Sequence, residues 1–140
     1  MEIFAILGRL MNITIEHLAI PSPNPVALRD WYVHVLGARE RFNNGRNPPT
    51  CLLSLGGVWL EIYAAEKSLP ETADNKLAGF RHLALRVDSL DAAREELEKR
   101  GVKFPDAERP AAGGGRVLFF ADGDGNLLHL VERPKDFNLP

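Results

Sequence analysis

The chain has 140 residues, 45% hydrophobic and 26% charged, which fits one globular domain with a buried core and excludes a disordered or membrane-embedded polypeptide. The formal charge is −2 and no basic stripe is visible, so nothing in the composition points to nucleic acid. The single cysteine, Cys51, can form no intramolecular disulfide; between Thr50 and Leu52 it reads as a small buried hydrophobe, in keeping with a reducing, cytoplasmic setting.

Residues 1–10 (M-E-I-F-A-I-L-G-R-L) are mildly apolar, but Glu2 stands where a signal peptide carries its cationic region. The stretch is also too short to span a bilayer. Met11 then opens M-N-I-T-I-E-H, so residues 1–12 are expected to form an N-terminal extension, an upstream start or a dispensable arm. Residues 13–20 alternate and are rich in β-branched side chains, which predicts a strand ended by Pro21-Ser22-Pro23. Asn24-Pro25 supplies an N-cap and a proline at the first helical position, and Gly37 a C-terminal stop, giving a helix over 25–36. Strands at 40–42, 50–55 and 58–64 follow, separated by a polar turn over 43–49 and the Gly56-Gly57 hairpin.

Residues 66–79 are polar and read as a linker. A strand over 80–87 comes next, then a helix capped by Asp88 or Ser89 that runs through Arg100 to Gly101. A short strand over 102–104, a longer one over 116–122, a Gly123-Asp124-Gly125-Asn126 turn and a last strand over 127–132 complete the order. Each half therefore reads β-α-β-β-β: module 1 over 13–65, module 2 over 80–134, and a tail over 135–140. The fold class expected is α+β, two tandem modules whose curved sheets enclose a cavity.

Internal similarity supports duplication. I-E-H-L-A-I at 15–20 matches F-R-H-L-A-L at 80–85, which sets His17 and His82 65 residues apart in the same context. Ala27-Leu28-Arg29 matches Ala92-Ala93-Arg94, and Trp59-Leu60-Glu61-Ile62 matches Leu127-Leu128-His129-Leu130.

Side chains alternate along a strand, so the two faces of each sheet can be separated. Leu18, Ile20, Leu83, Leu85 and Val87 take the helix-facing side, with Leu60, Ile62, Leu128 and Leu130 on the last strands. His17, Glu61, His82 and His129 then fall together on the opposite faces of four strands that correspond in pairs. Three imidazoles and one carboxylate make a donor set for one divalent transition metal, Zn, Ni, Fe, Co or Mn, and a poor one for Ca²⁺ or Mg²⁺. His34, within the first helix, reads as a partly exposed helical residue. Arg86, on the same face as His82, either anchors a substrate carboxylate or phosphate or forms a salt bridge at the strand end. Trp59 and Tyr63 flank Glu61 as a cavity wall or as core packing. The A-A-G-G-G stretch at 111–115 is a surface loop, with a lid over the cavity as the alternative.

The motifs E-H-L-A-I, W-Y-V-H-V-L-G, W-L-E-I-Y, R-H-L-A-L-R-V and D-G-D-G-N-L-L-H-L-V-E-R-P resemble those of the vicinal oxygen chelate superfamily. That superfamily includes glyoxalase I, extradiol dioxygenases, fosfomycin-resistance thiol transferases and bleomycin-binding proteins. The resemblance covers residues 13–134. It implies that each module gives two metal ligands, one from its first strand and one from its last: His17 and Glu61, His82 and His129. The usual fourth ligand is a glutamate at the position of His129, and Glu132, three residues on, is the alternative. Pro21 and Ala65 stand where glutathione-dependent glyoxalase I commonly has arginine and asparagine.

The resemblance further implies a metal-dependent, glyoxalase I-like lyase or isomerase acting on a small carbonyl compound, with Glu61 as the base. A dioxygenase or thiol transferase on the same scaffold and a non-catalytic small-molecule (antibiotic) binding protein are the alternatives. Expected partners are a small-molecule substrate and a second copy in a homodimer, with neither nucleic acid nor membrane. The cavity closes either within one chain or across that dimer.

Overall fold

The computed structural model describes residues 11–137; the expectation that residues 1–10 form a separate arm lies outside the described residues. The chain forms β1 (His17–Ser22), α1 (Pro25–Leu36), β2 (Arg39–Asn43), β3 (Cys51–Leu55) and β4 (Val58–Ala64), then a short 3-10 turn at Pro70–Ala73. The second module comprises β5 (His82–Arg86), α2 (Leu90–Lys99), β6 (Arg109–Pro110), β7 (Arg116–Ala121) and β8 (Leu127–Glu132). Two four-stranded sheets result, ordered β1-β4-β3-β2 and β5-β8-β7-β6. In each, the first strand runs parallel to the last and the others are antiparallel. The expected α+β architecture of two tandem modules is what the chain adopts.

The helix ends follow from their capping residues. The Asn24 side chain accepts from the Ala27 N–H at 3.1 Å, Pro25 takes the first helical position, and Gly37 adopts φ +73 where a side chain would be strained. Of the two caps expected for α2, Ser89 is the one used, accepting from the Ala92 N–H at 3.2 Å.

The strand expected over 80–87 shortens to His82–Arg86, and two other strand expectations change more. β1 starts at His17 rather than residue 13, because its partner β4 begins just after the Gly56-Gly57 turn and offers no backbone beyond Glu16. It also runs through Pro21. The Trp59 and Ala65 N–H groups bond the Glu16 and Ser22 carbonyls, so even-numbered residues face β4 and Pro21 turns its missing N–H to the open edge. Residues 102–104 form no strand. Val102 donates back to the Leu97 carbonyl at the end of α2, and Phe104 packs against Phe120 with ring centroids 5.4 Å apart. Their apolar character reflects burial beside the helix, and the short strand is instead β6, paired with β7.

One core serves both modules. Ile20, Leu53, Leu60 and Ile62 of the first sheet join Leu118, Phe120, Leu128 and Leu130 of the second, with Leu28, Tyr32 and Val35 of α1 and Leu90 and Leu97 of α2. Polar contacts reinforce the junction: Arg100 of module 2 donates to the Val35 carbonyl at 2.7 Å, and the buried Tyr32 hydroxyl donates to Asp122 at 2.7 Å. Both sheets thus turn their helix-covered faces to common packing. Their other faces lie outside it.

Candidate functional site

Those outer faces carry the residues singled out by strand parity. In module 2, His82 on β5 and His129 on β8 lie on neighbouring parallel strands, with Ala84 directly opposite His129. Their ring centroids are 4.5 Å apart. Phe119 of β7, directly opposite His129, completes an aromatic cluster at 4.9 Å from His129 and 5.3 Å from His82. His129 is 8% exposed and its Nδ1 has no hydrogen-bond partner. Burial first, then the neighbouring His82 and Arg133, push its pKa down to about 4, so the ring is neutral at physiological pH. A neutral buried imidazole with an unused nitrogen is the form in which histidine binds a metal.

In module 1, His17 on β1 lies opposite Trp59 of β4, and Glu61 lies opposite Ala19, so the two candidate ligands sit on one face of adjacent strands. His17 is exposed and Glu61 half-buried. The same face carries Phe42 and Trp59, 51% and 41% exposed, and the half-buried Tyr63. Apolar side chains left uncovered beside polar ones mark a surface suited to a partner or ligand.

Both first-strand histidines have a partner on Nδ1: Glu16 Oε1 at 2.8 Å from His17 and Asn75 Oδ1 at 2.7 Å from His82. Glu132, the alternative fourth ligand, is engaged elsewhere. Its carboxylate accepts from the Leu90 N–H at 2.7 Å, at the start of α2, and from Arg116, which together hold its pKa below the usual carboxylate value.

Guanidinium groups surround the module 2 face. Arg109 lies over the Phe119 ring at 5.2 Å, and Arg86 and Arg133 lie over Phe137 at 5.7 and 4.5 Å. Arg133 also ties down the 111–115 loop through the Ala112 and Gly114 carbonyls. Cys51 is fully buried, and His34, exposed on α1, is bonded to the Asp30 carbonyl. Asn75 and Phe119 were missed in the sequence. Parity along β7 would have found Phe119, but no pattern marks Asn75 in a polar linker.

Within one chain the two halves stay apart. Among the described residues, no group of three or more His, Cys, Asp or Glu side chains is gathered closely enough to hold a metal ion. The two histidines of module 2 are brought together; the foursome is not.

The pairing of two βαβββ sheets is the architecture of one class of protein, and residues 14–130 match the family model of that class. The chain belongs to the Glyoxalase/Bleomycin resistance protein/Dioxygenase superfamily. It is 32% identical over 124 residues to the uncharacterized protein YwkD of Bacillus subtilis, covering 86% of this chain and 97% of that one. Among solved structures, a glyoxalase family protein from Enterococcus faecalis aligns with a TM-score of 0.73 at 29% identity, over 85% of this chain and 97% of that one. The fosfomycin resistance protein FosX of Listeria monocytogenes, solved with Mn(II), shares the fold at a TM-score of 0.59 and 20% identity, over 89% and 91% of the two chains. No helix among the described residues is long and apolar enough to cross a membrane.

Proposed function

We propose that the chain is a metal-dependent glyoxalase-like lyase or isomerase acting on a small anionic carbonyl compound. In this reading a homodimer completes the site, one copy supplying His17 and Glu61 and another supplying His82 and His129. The observation that carries the reading is His129, a buried neutral imidazole beside His82 whose Nδ1 has no partner. The donor set of three imidazoles and one carboxylate fits one divalent transition metal. The exposure of Phe42 and Trp59 on the face that carries Glu61 supports the dimer, in which a second copy would cover them.

A bound divalent ion supplies Lewis-acid polarisation of the substrate carbonyl. Glu61 takes the proton from the carbon beside that carbonyl and returns it to the neighbouring position. Arg86 is held over Phe137 and makes no ion pair among the described residues, so its guanidinium is available to a substrate carboxylate or phosphate. Trp59 and Tyr63 exclude water from the reacting carbon.

Metal analysis of the purified protein is expected to give one transition-metal ion per chain, lost in His82→Ala and in His17→Ala. In D₂O the loaded protein should exchange the α-proton of small hydroxy- or keto-acids without consuming oxygen. Oxygen uptake with catechols would replace the reading with a dioxygenase. Metal-free wild-type protein, with both alanine variants unchanged in ligand binding, would replace it with a sequestering protein.

A further inference from the structure

Duplication placed two equivalent histidines in the chain but did not duplicate what holds them. In module 1 the residue before the histidine is Glu16, whose carboxylate contacts His17 Nδ1 at 2.8 Å. An ionised carboxylate only accepts, so His17 donates from Nδ1, and in the neutral ring this leaves the Nε2 lone pair free. The equivalent position in module 2 is Arg81, a guanidinium that only donates and cannot play this part. Asn75 of the linker stands there instead, with its Oδ1 2.7 Å from His82 Nδ1. It is presented by a hydrogen-bonded turn: the Asp74 N–H donates to the Glu71 carbonyl, the Asp74 carboxylate accepts from the Lys76 N–H at 2.9 Å, and the Asp74 carbonyl accepts from Leu77.

We infer that Asn75 is a positioning residue that fixes the Nδ1–H tautomer of His82, leaving Nε2 as the donor atom toward the metal. The linker thereby supplies the acceptor that the arginine at position 81 does not. The inference rests on the proposed metal site for its consequence, but the tautomer itself belongs to the metal-free protein. An asparagine can present either oxygen or nitrogen, and the opposite orientation would donate to Nδ1 and force the proton onto Nε2. The two orientations thus predict opposite states of one ring.

Long-range ¹H–¹⁵N correlation spectra of metal-free, histidine-labelled protein near pH 8 separate them. Wild type and Asn75→Asp are expected to show His82 protonated on Nδ1. Asn75→Ala should move His82 toward the Nε2–H form while His17, held by Glu16, stays unchanged. Titration with Co²⁺ or Zn²⁺ should show affinity falling about 10–100-fold in Asn75→Ala and recovering in Asn75→Asp. A wild-type His82 protonated on Nε2, or an Asn75→Ala spectrum identical to wild type, overturns the inference. If wild type binds no metal while the tautomer still depends on Asn75, the proposed function fails and the positioning role stands.

Discussion

Asp122 shows how much one side chain can organise. Its carboxylate is nearly buried and accepts four hydrogen bonds: from the Asp124 and Asn126 N–H groups at 2.9 Å each, from Asn126 Nδ2 at 2.8 Å and from the Tyr32 hydroxyl at 2.7 Å. Three of these shape the β7–β8 turn, and the fourth crosses to α1 of the other module. Burial and then Asp122 push the Tyr32 pKa up, so the hydroxyl stays a donor throughout the ordinary pH range. Trp31 packs against Gly123 in the same turn, where an added Cβ would lie 3.2 Å from the indole. Tyr32→Phe should cost about 2 kcal/mol in chemical denaturation, the worth of a hydrogen bond to a charged group. Asp122→Ala should cost more, since it strands Tyr32 and two backbone donors together. Equal stabilities for the two variants would show that the bond between the modules is the whole of the effect.

At the scale of elements, Glu132 joins the last strand to the start of α2 and to Arg116, which also reaches Glu108 and Asp91. The Leu90 N–H and then Arg116 hold its pKa below the usual 4.5. Because the folded pKa is the lower one, the stabilisation is complete above about pH 4.5 and is lost as pH falls through the folded value. Thermal unfolding followed against pH should show Glu132→Gln less stable than wild type at neutral pH, with the difference closing below pH 4.5. A difference that does not change with pH would assign the effect to something other than the ionised carboxylate.

The same elements show what the sequence discloses. α1, β4 and β8 were legible to the residue, because caps, a Gly-Gly turn and alternating apolar side chains act locally. The edges of β1 and the absence of a strand at 102–104 were not, because pairing depends on where a partner's backbone ends. In the site, parity placed His82 and His129 on one face, where the structure brings their rings together. The contact from Asn75 arises from a turn in the linker and has no periodic signal.

At the scale of the whole molecule, the shared core decides what one chain can do alone. Packing both helix-covered faces together leaves His17 and Glu61 on one outer face and His82 and His129 on another. In the proposed reading a four-residue site takes two copies, and twofold symmetry would give each dimer two such sites. Mixed variants distinguish this arrangement from a site closed within one chain. A His17→Ala dimer and a His82→Ala dimer each lack a ligand in both sites. When the two are unfolded together and refolded, a mixed dimer has one site missing both histidines and one site intact. An equal mixture should recover about a quarter of the wild-type metal content, since half the dimers are mixed and each has one good site of two. A site within a single chain gives no recovery in that experiment. Light scattering on the same samples should report a dimer mass, and a monomeric wild type would remove the shared site altogether.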